Sequence, residues 1–265
     1  MSTDHSPLLD HALEAPSVFR PGDLMDAVRR ERQLDAVPVP PLCILDFDGD
    51  LADGLARDGT ATLSASWACF HTQLLTLTID GLECGVVPRT IGGPYAVLIA
   101  EQLHAAGARL IVGLTSAGRL QPTLALPSIV VVDAAVRDEG TSLHYLKASP
   151  TVSTPTPSLV THLARELGAV GAVQEGLVWT TDAPYRETED QLRRWAAAGA
   201  LAVEMQAASL FAFGVTTGAR IGMVALISNS PATPQERFDT GGHGYRLRVL
   251  TAVARAARAF LEDVE

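Results

Sequence analysis

From Leu42 onward the chain is a series of short aliphatic runs, most of them too brief for a helix and too apolar for a loop. LCILDF, TATLSASWACF, LLTLTI, LECGVV, RLIVGL, SIVVVDAAV, AVQEGLVWTT, ALAVEM and ARIGMVALISNS all read as strands. Asp80-Gly81 between LLTLTI and LECGVV is a two-residue hairpin signature. Later strands alternate with helical patterns: GGPYAVLIAEQLHAAG, SLVTHLARELG, ETEDQLRRWAAAG, QAASLFAFGVTTG and the closing HGYRLRVLTAVARAARAFLEDVE. Hairpins first and βα alternation afterwards call for an α/β fold, a mixed sheet flanked by helices. Residues 1–40 read as a helical lead-in. Its segment PGDLMDAVRRERQL opens on proline, places acids early and arginines late, and is broken by VPVPP. The expected organisation is a lead-in over 1–40 and one α/β domain over 41–265.

Composition narrows the function classes. Apolar residues make up 47% of the 265, enough for a large core, while aromatics are only 5%, so that core is aliphatic. A formal charge of −10 argues against binding a nucleic-acid backbone or an anionic membrane surface. Three cysteines, Cys43, Cys69 and Cys84, form no C-x-x-C pair and are odd in number, which favours reduced thiols in a cytoplasm. No apolar run is long enough to span a membrane, and MSTDHSPLLDHALEAP lacks the apolar core of a secretory signal.

Five polar clusters each carry a plain reading beside a chemical one. Gly92-Gly93-Pro94 at a helix start is ordinary turn geometry or a set of N–H groups aimed at an anion. Arg137 to Ser142, RDEGTS, is a charged loop or part of a site. Thr180 to Thr188, TTDAPYRET, caps the helix after it or lines a pocket. Glu204 and Gln206 bracket Met205 in an alanine-rich, apolar stretch, where an unpaired carboxylate is expensive; they cap a helix or face a cavity. Asn229 ends a strand as a turn residue or as a ligand group.

Their order resembles one family. A GGP helix, a strand ending T-S-A-G, then D-A-x-x-R-D-E-G-T-S, T-D-A-x-Y-R-E-T, V-E-M-x-A-A and a strand ending S-N resemble the nucleoside phosphorylases acting on uridine and purine nucleosides, over roughly Leu42 to Leu261. The resemblance implies a single α/β domain with a distorted, barrel-like mixed sheet, assembled as a dimer or hexamer. It implies cleavage of a nucleoside's N-glycosidic bond without metal or cofactor. Met205 would pack on the sugar. Gln206 stands where the family has a glutamate for the ribose hydroxyls, and Tyr185 would wall the base. Asn229 would stabilise the departing base, and Glu204 would position a water or cap its helix.

The phosphate side departs from the pattern. Gly49 matches the family's phosphate glycine, but Asp53 and Gly113 stand where arginines hold the anion. Ser116 takes the hydroxyl position, next to Gly118. Arg89 is the nearby cation that would compensate, by turning toward the Gly92-Gly93 amides. A third arginine, donated by a neighbouring subunit, is missing around Phe70-His71. The acceptor is phosphate if Arg89, Ser116 and backbone amides hold it, and water otherwise. A non-catalytic or diverted nucleoside binder on the same fold remains open.

Overall fold

The computed structural model describes residues 6–10, 12–229 and 242–264, with the side chains of 228 and 229 outside that set. In chain order its strands are β1 (Leu42–Asp46), β2 (Thr62–Leu63), β3 (Leu75–Ile79), β4 (Leu82–Pro88) and β5 (Leu110–Arg119), followed by β6 (Ser128–Asp138), β7 (Thr151–Ser153), β8 (Val173–Thr181), β9 (Ala202–Glu204) and β10 (Ile221–Asn229). The helices are α1 (Pro21–Arg32), α2 (Asp50–Arg57), α3 (Gly93–Ala105), α4 (Pro157–Leu167), α5 (Glu189–Ala197), α6 (Ala207–Thr217) and α7 (His243–Asp263).

The sheet closes on itself. β5 runs parallel to β10, β10 antiparallel to β6, β6 parallel to β8, and β8 parallel to β9. β9 then returns to β5 at Gly118 and Arg119, completing a five-stranded ring. On its open edge the first half of β5 pairs with β1, from which β4, β3 and β2 fan outward. The β3–β4 turn takes left-handed backbone at both Asp80 and Gly81, as the hairpin signature requires.

Strand alternation sorts side chains into two layers. Leu42 and Ile44 of β1 join a cluster with Leu51 and Leu55 of α2, Leu159 and Leu163 of α4 and Val249, Val253 and Phe260 of α7. Cys43 and Leu45 join the other, with Met25 and Val28 of α1, Val97 and Leu103 of α3 and Leu210, Phe211 and Phe213 of α6. Each fully buried Leu or Phe stabilises the fold by about 1.5–3 kcal/mol. The lead-in is anchored to this core through Met25 and Val28, the buried face of α1. Among the described residues no helix is long and apolar enough to cross a membrane.

Two segments differ from their sequence pattern. TATLSASWACF keeps only Thr62–Leu63 as strand. Its Trp67, Ala68 and Cys69 are buried as an irregular segment, so burial rather than pairing explains the apolar run. Asp50–Arg57, to which the sequence pattern assigned no element, is helical. Asp46 Oδ2 accepts the Ala52 N–H at 2.9 Å, a cap supplied from the preceding strand. Leu51, Ala52 and Leu55 form the buried face.

Gly113 sits in the middle of β5, paired with Leu45 and Met223. A Cβ there would collide with Met223 Sδ and lie 2.8 Å from Phe47 Cε2. The volume an arginine side chain would need is filled by Phe47 and Met223. Gly113→Ala is therefore expected to overpack the site and lower stability by about 1–3 kcal/mol. Urea unfolding checks this, and an unchanged midpoint would contradict the packing.

Candidate active site

A cleft of about 390 Å³ opens where β1, β5 and β9 end and where the chain leaves β4 and β8. Phe47 and Asp48 follow β1, and Thr115 to Gly118 come from β5. Val203 to Gln206 come from β9 and its junction with α6. Ile91, Pro184, Tyr185 and Glu187 close the rim. Open α/β sheets bind ligands at these carboxyl ends, where connections diverge and backbone groups are left without strand partners. A larger cleft of about 550 Å³ lies between Leu8, Leu9 and Leu13 of the lead-in and Leu143 and Leu146. It is mostly aliphatic and holds only Glu14 and Lys147 as charged groups.

The β9–α6 junction settles what Glu204 and Gln206 touch. Glu204 Oε2 accepts the N–H groups of Gln206 at 2.6 Å and Ala207 at 2.9 Å, while Oε1 accepts the Thr180 hydroxyl at 2.5 Å. The carboxylate thus caps α6 and ties it to β8. Gln206, 2% exposed, accepts the Gly92 N–H on Oε1 at 2.9 Å and donates from Nε2 to Thr115 Oγ1 at 3.3 Å. It joins the entry of α3 to β5. The Gly92 amide is therefore engaged by Gln206, while the Arg89 guanidinium pairs with Asp53. Met205, between the two, is partly exposed and turns into the cleft.

On the anion side, Gly49 has left-handed backbone (φ 87°) before α2, and Arg89 lies across it, its Cγ 2.8 Å from where a Cβ would stand. The Arg89 guanidinium pairs with Asp53, and both side chains are about half exposed. This contact holds the Asp53 carboxyl below its ordinary range. Ser116 donates both its N–H and its hydroxyl to Asp48, at 3.0 Å each. Arg246 of α7, 2% exposed, reaches Asp48 Oδ2 at 3.1 Å, Asp50 at 3.5 Å and Asp46 at 3.8 Å.

Much of the motif-bearing sequence braces the cleft from outside it. Arg137 binds Ser142 Oγ and the carbonyls of Leu146 and Lys147, folding its own loop. Glu139 accepts the Ser142 N–H at 2.9 Å and the Ser209 hydroxyl at 2.6 Å, which fastens that loop to α6. Asp182 accepts the Gly140 N–H at 2.9 Å, and Thr188 caps α5 in a reciprocal box with Gln191. From TTDAPYRET only Pro184, Tyr185 and Glu187 reach the cleft; Tyr185 is fully exposed, an open ring at its mouth. Burial pushes the Glu187 carboxyl up to about 7. Asn229 ends β10 with its backbone opposite Gly118, while its side chain lies outside the described residues.

The sequence pattern missed Phe47, Asp48, Ile91, Glu187 and Arg246. Asp48 and Glu187 stand beside residues it did single out. Arg246 carries no local signal, because it meets Asp48 from 198 residues away.

Residues 43–263 match the family model of the phosphorylase superfamily, and the chain belongs to that family. It is 27% identical to the guanosine phosphorylase of Halorubrum lacusprofundi over 200 residues, which are 72% of this chain and 80% of that protein. With the uridine phosphorylase of Treponema pallidum it shares 29% over 203 residues, 71% of this chain and 79% of that one. With that of Escherichia coli it shares 27%, over 56% of this chain and 64% of the relative. The fold is that of the uridine phosphorylase crystal structure from Vibrio fischeri ES114, with a TM-score of 0.72 at 22% identity, covering 86% of this chain and 96% of the other.

Burial pushes the Glu204 carboxyl from an ordinary 4.5 up to about 7, against the pull of its hydrogen-bond donors. Between those values the unfolded chain has released a proton that the folded chain retains. Stability should therefore fall as pH rises from 4.5 to about 7, then level off. Asp46, raised to about 6, and Glu187 act in the same direction. Glu204→Gln is expected to cost about 1–3 kcal/mol through the damaged cap and to flatten this slope. Urea midpoints measured from pH 4.5 to 8 check both; a variant with the wild-type slope would place the titration elsewhere.

Proposed function

We propose that this chain cleaves the N-glycosidic bond of a nucleoside or nucleoside-like glycoside in the cleft at the ends of β1, β5 and β9. The observation that carries the proposal is the β9–α6 junction, which presents Met205 to that cleft in a chain of the phosphorylase superfamily. Its relatives named guanosine and uridine phosphorylases point to the same substrate class.

The chemistry follows from what the cleft offers. Met205 gives the sugar an apolar, polarisable face, and the open Tyr185 ring gives the base a stacking wall. Gln206 meets the sugar with the Oε1 lone pair left beside its bond from Gly92, since Nε2 donates to Thr115 and Glu204, and it brings no charge. As the C–N bond lengthens, positive charge grows on the sugar and negative charge on the departing base. Asn229 stabilises that base by hydrogen bonding. Glu187, with its carboxyl near 7, is able to hand it a proton at neutral pH. Glu204 works as the cap that holds the junction still.

A homo-oligomer belongs to the same proposal, with the exposed Phe70 and His71 at the edge a second copy would close. So does a cytoplasmic location, in keeping with three buried, free cysteines. Light scattering at micromolar concentration is expected to return at least twice the 28.0 kDa of one chain. A single-chain mass would remove the second copy from the site.

Purine and pyrimidine nucleosides incubated with the protein are expected to yield free base by chromatography. Glu187→Gln is expected to slow release by about 10²–10⁴-fold if it donates the proton. Nucleosides that bind without base release would make the chain a binding protein. Nucleosides that neither bind nor react would end the proposal.

A further inference from the structure

We infer, resting on the nucleoside cleavage proposed above, that Asp48 is a built-in occupant of the acceptor-anion pocket, one that excludes phosphate and leaves water as the acceptor. Three donors of three kinds converge on its carboxylate. The Ser116 N–H reaches Oδ2 at 3.0 Å, Arg246 Nη2 reaches the same oxygen at 3.1 Å, and the Ser116 hydroxyl reaches Oδ1 at 3.0 Å. A backbone amide, a hydroxyl and a buried guanidinium are the donor set that holds an oxyanion. Ser116 and Asp48 line the cleft, Arg246 meets Asp48 as a buried side chain outside that lining, and the acceptor of all three donors is already part of the chain.

Charge and volume both oppose a second anion. The Arg246 guanidinium is shared among Asp48, Asp50 and Asp46, and Arg89 is engaged by Asp53. A phosphate dianion entering beside Ser116 would meet carboxylates whose donors are already committed. The space that another arginine would need at Gly113 is taken by Phe47 and Met223. Displacing Asp48 would part a largely buried carboxylate from its three donors, a cost that phosphate's own bonds would have to exceed.

With water as the acceptor, the sugar C1′–N bond breaks and its electron pair leaves on the base nitrogen. The water oxygen forms the new C1′–O bond, the base takes the Glu187 proton, and a proton from the water restores Glu187. The products are free sugar and neutral base.

The test is thermal unfolding of wild type, Asp48→Ala and Asp48→Asn in phosphate, formate or chloride at matched ionic strength. Wild type is expected to show no saturable rise in Tm with phosphate into the tens of millimolar. Asp48→Ala should be less stable than wild type and should recover saturably with formate, which refills the emptied position, but not with chloride. Asp48→Asn, whose amide fills the space, should not respond. If Asp48→Ala does not fold in chloride, refolding yield is read instead, and formate-dependent recovery supports the placement.

Saturable phosphate stabilisation of wild type, or an Asp48→Ala protein that formate helps no more than chloride, would overturn it. Base release by wild type, measured with and without phosphate, is expected to be unchanged. A saturable phosphate requirement would refute water as the acceptor. No release from any nucleoside would refute the cleavage itself, while the unfolding measurements still decide where Asp48 sits.

Discussion

The ten-residue strand β5 is the constraint on which the rest of the molecule depends. Its first half pairs with β1 on one side, Ile111 to Gly118 pair with β10 on the other, and its last residues close the ring through β9. One strand therefore belongs to both the closed ring and the open fan. Where β1 stops at Asp46 and β5 continues, the edge of β5 from Thr115 onward is free of its first neighbour. That gap between the end of β1 and the start of the β9 pairing becomes the cleft. The side chains of Thr115 and Ser116 serve Gln206 and Asp48 there.

Every buried acid among the described residues around this gap has a structural task. Asp46 caps α2, Glu204 caps α6 and Glu139 fastens the Ser142 loop to α6. A buried carboxylate is tolerable only when N–H or O–H groups meet it, and helix N-termini supply such groups ready-made. Desolvation still wins at Glu204, whose carboxyl stays near 7 despite four hydrogen bonds of 2.5–3.1 Å. The exposed Arg89–Asp53 pair contributes little to stability, as surface ion pairs do. It engages a cation beside Gly49.

Much was legible in the sequence. Aliphatic runs at strand length, the Asp80-Gly81 turn and the alternating helices led to an α/β fold with a mixed sheet, and the ordered motifs led to the family and, through it, to a barrel-like sheet. The resemblance led to Met205, which lines the cleft, and turn chemistry led to a cap within TTDAPYRET, where Thr188 supplies it. The fold and cap readings succeed because they depend on local period and turn chemistry. Less legible was which polar residues of a motif face inward. RDEGTS reads as a charged loop or as part of a site, and Arg137 and Glu139 spend their hydrogen bonds on loop and helix partners.

The sequence alone determined the fold class, the family and the absence of arginine at Asp53 and Gly113, since hydrophobic period and motif order are written in the chain. Only the tertiary structure decided what stands in the arginines' place. Phe47 and Met223 fill the volume above Gly113, and Asp48 takes the donors of Ser116 and Arg246. Asp48 and Arg246 are brought together by the packing of α7 against α2, and no local pattern encodes a contact across 198 residues. A missing charge can be read from one position, but its replacement depends on which distant side chains the fold brings within hydrogen-bonding reach.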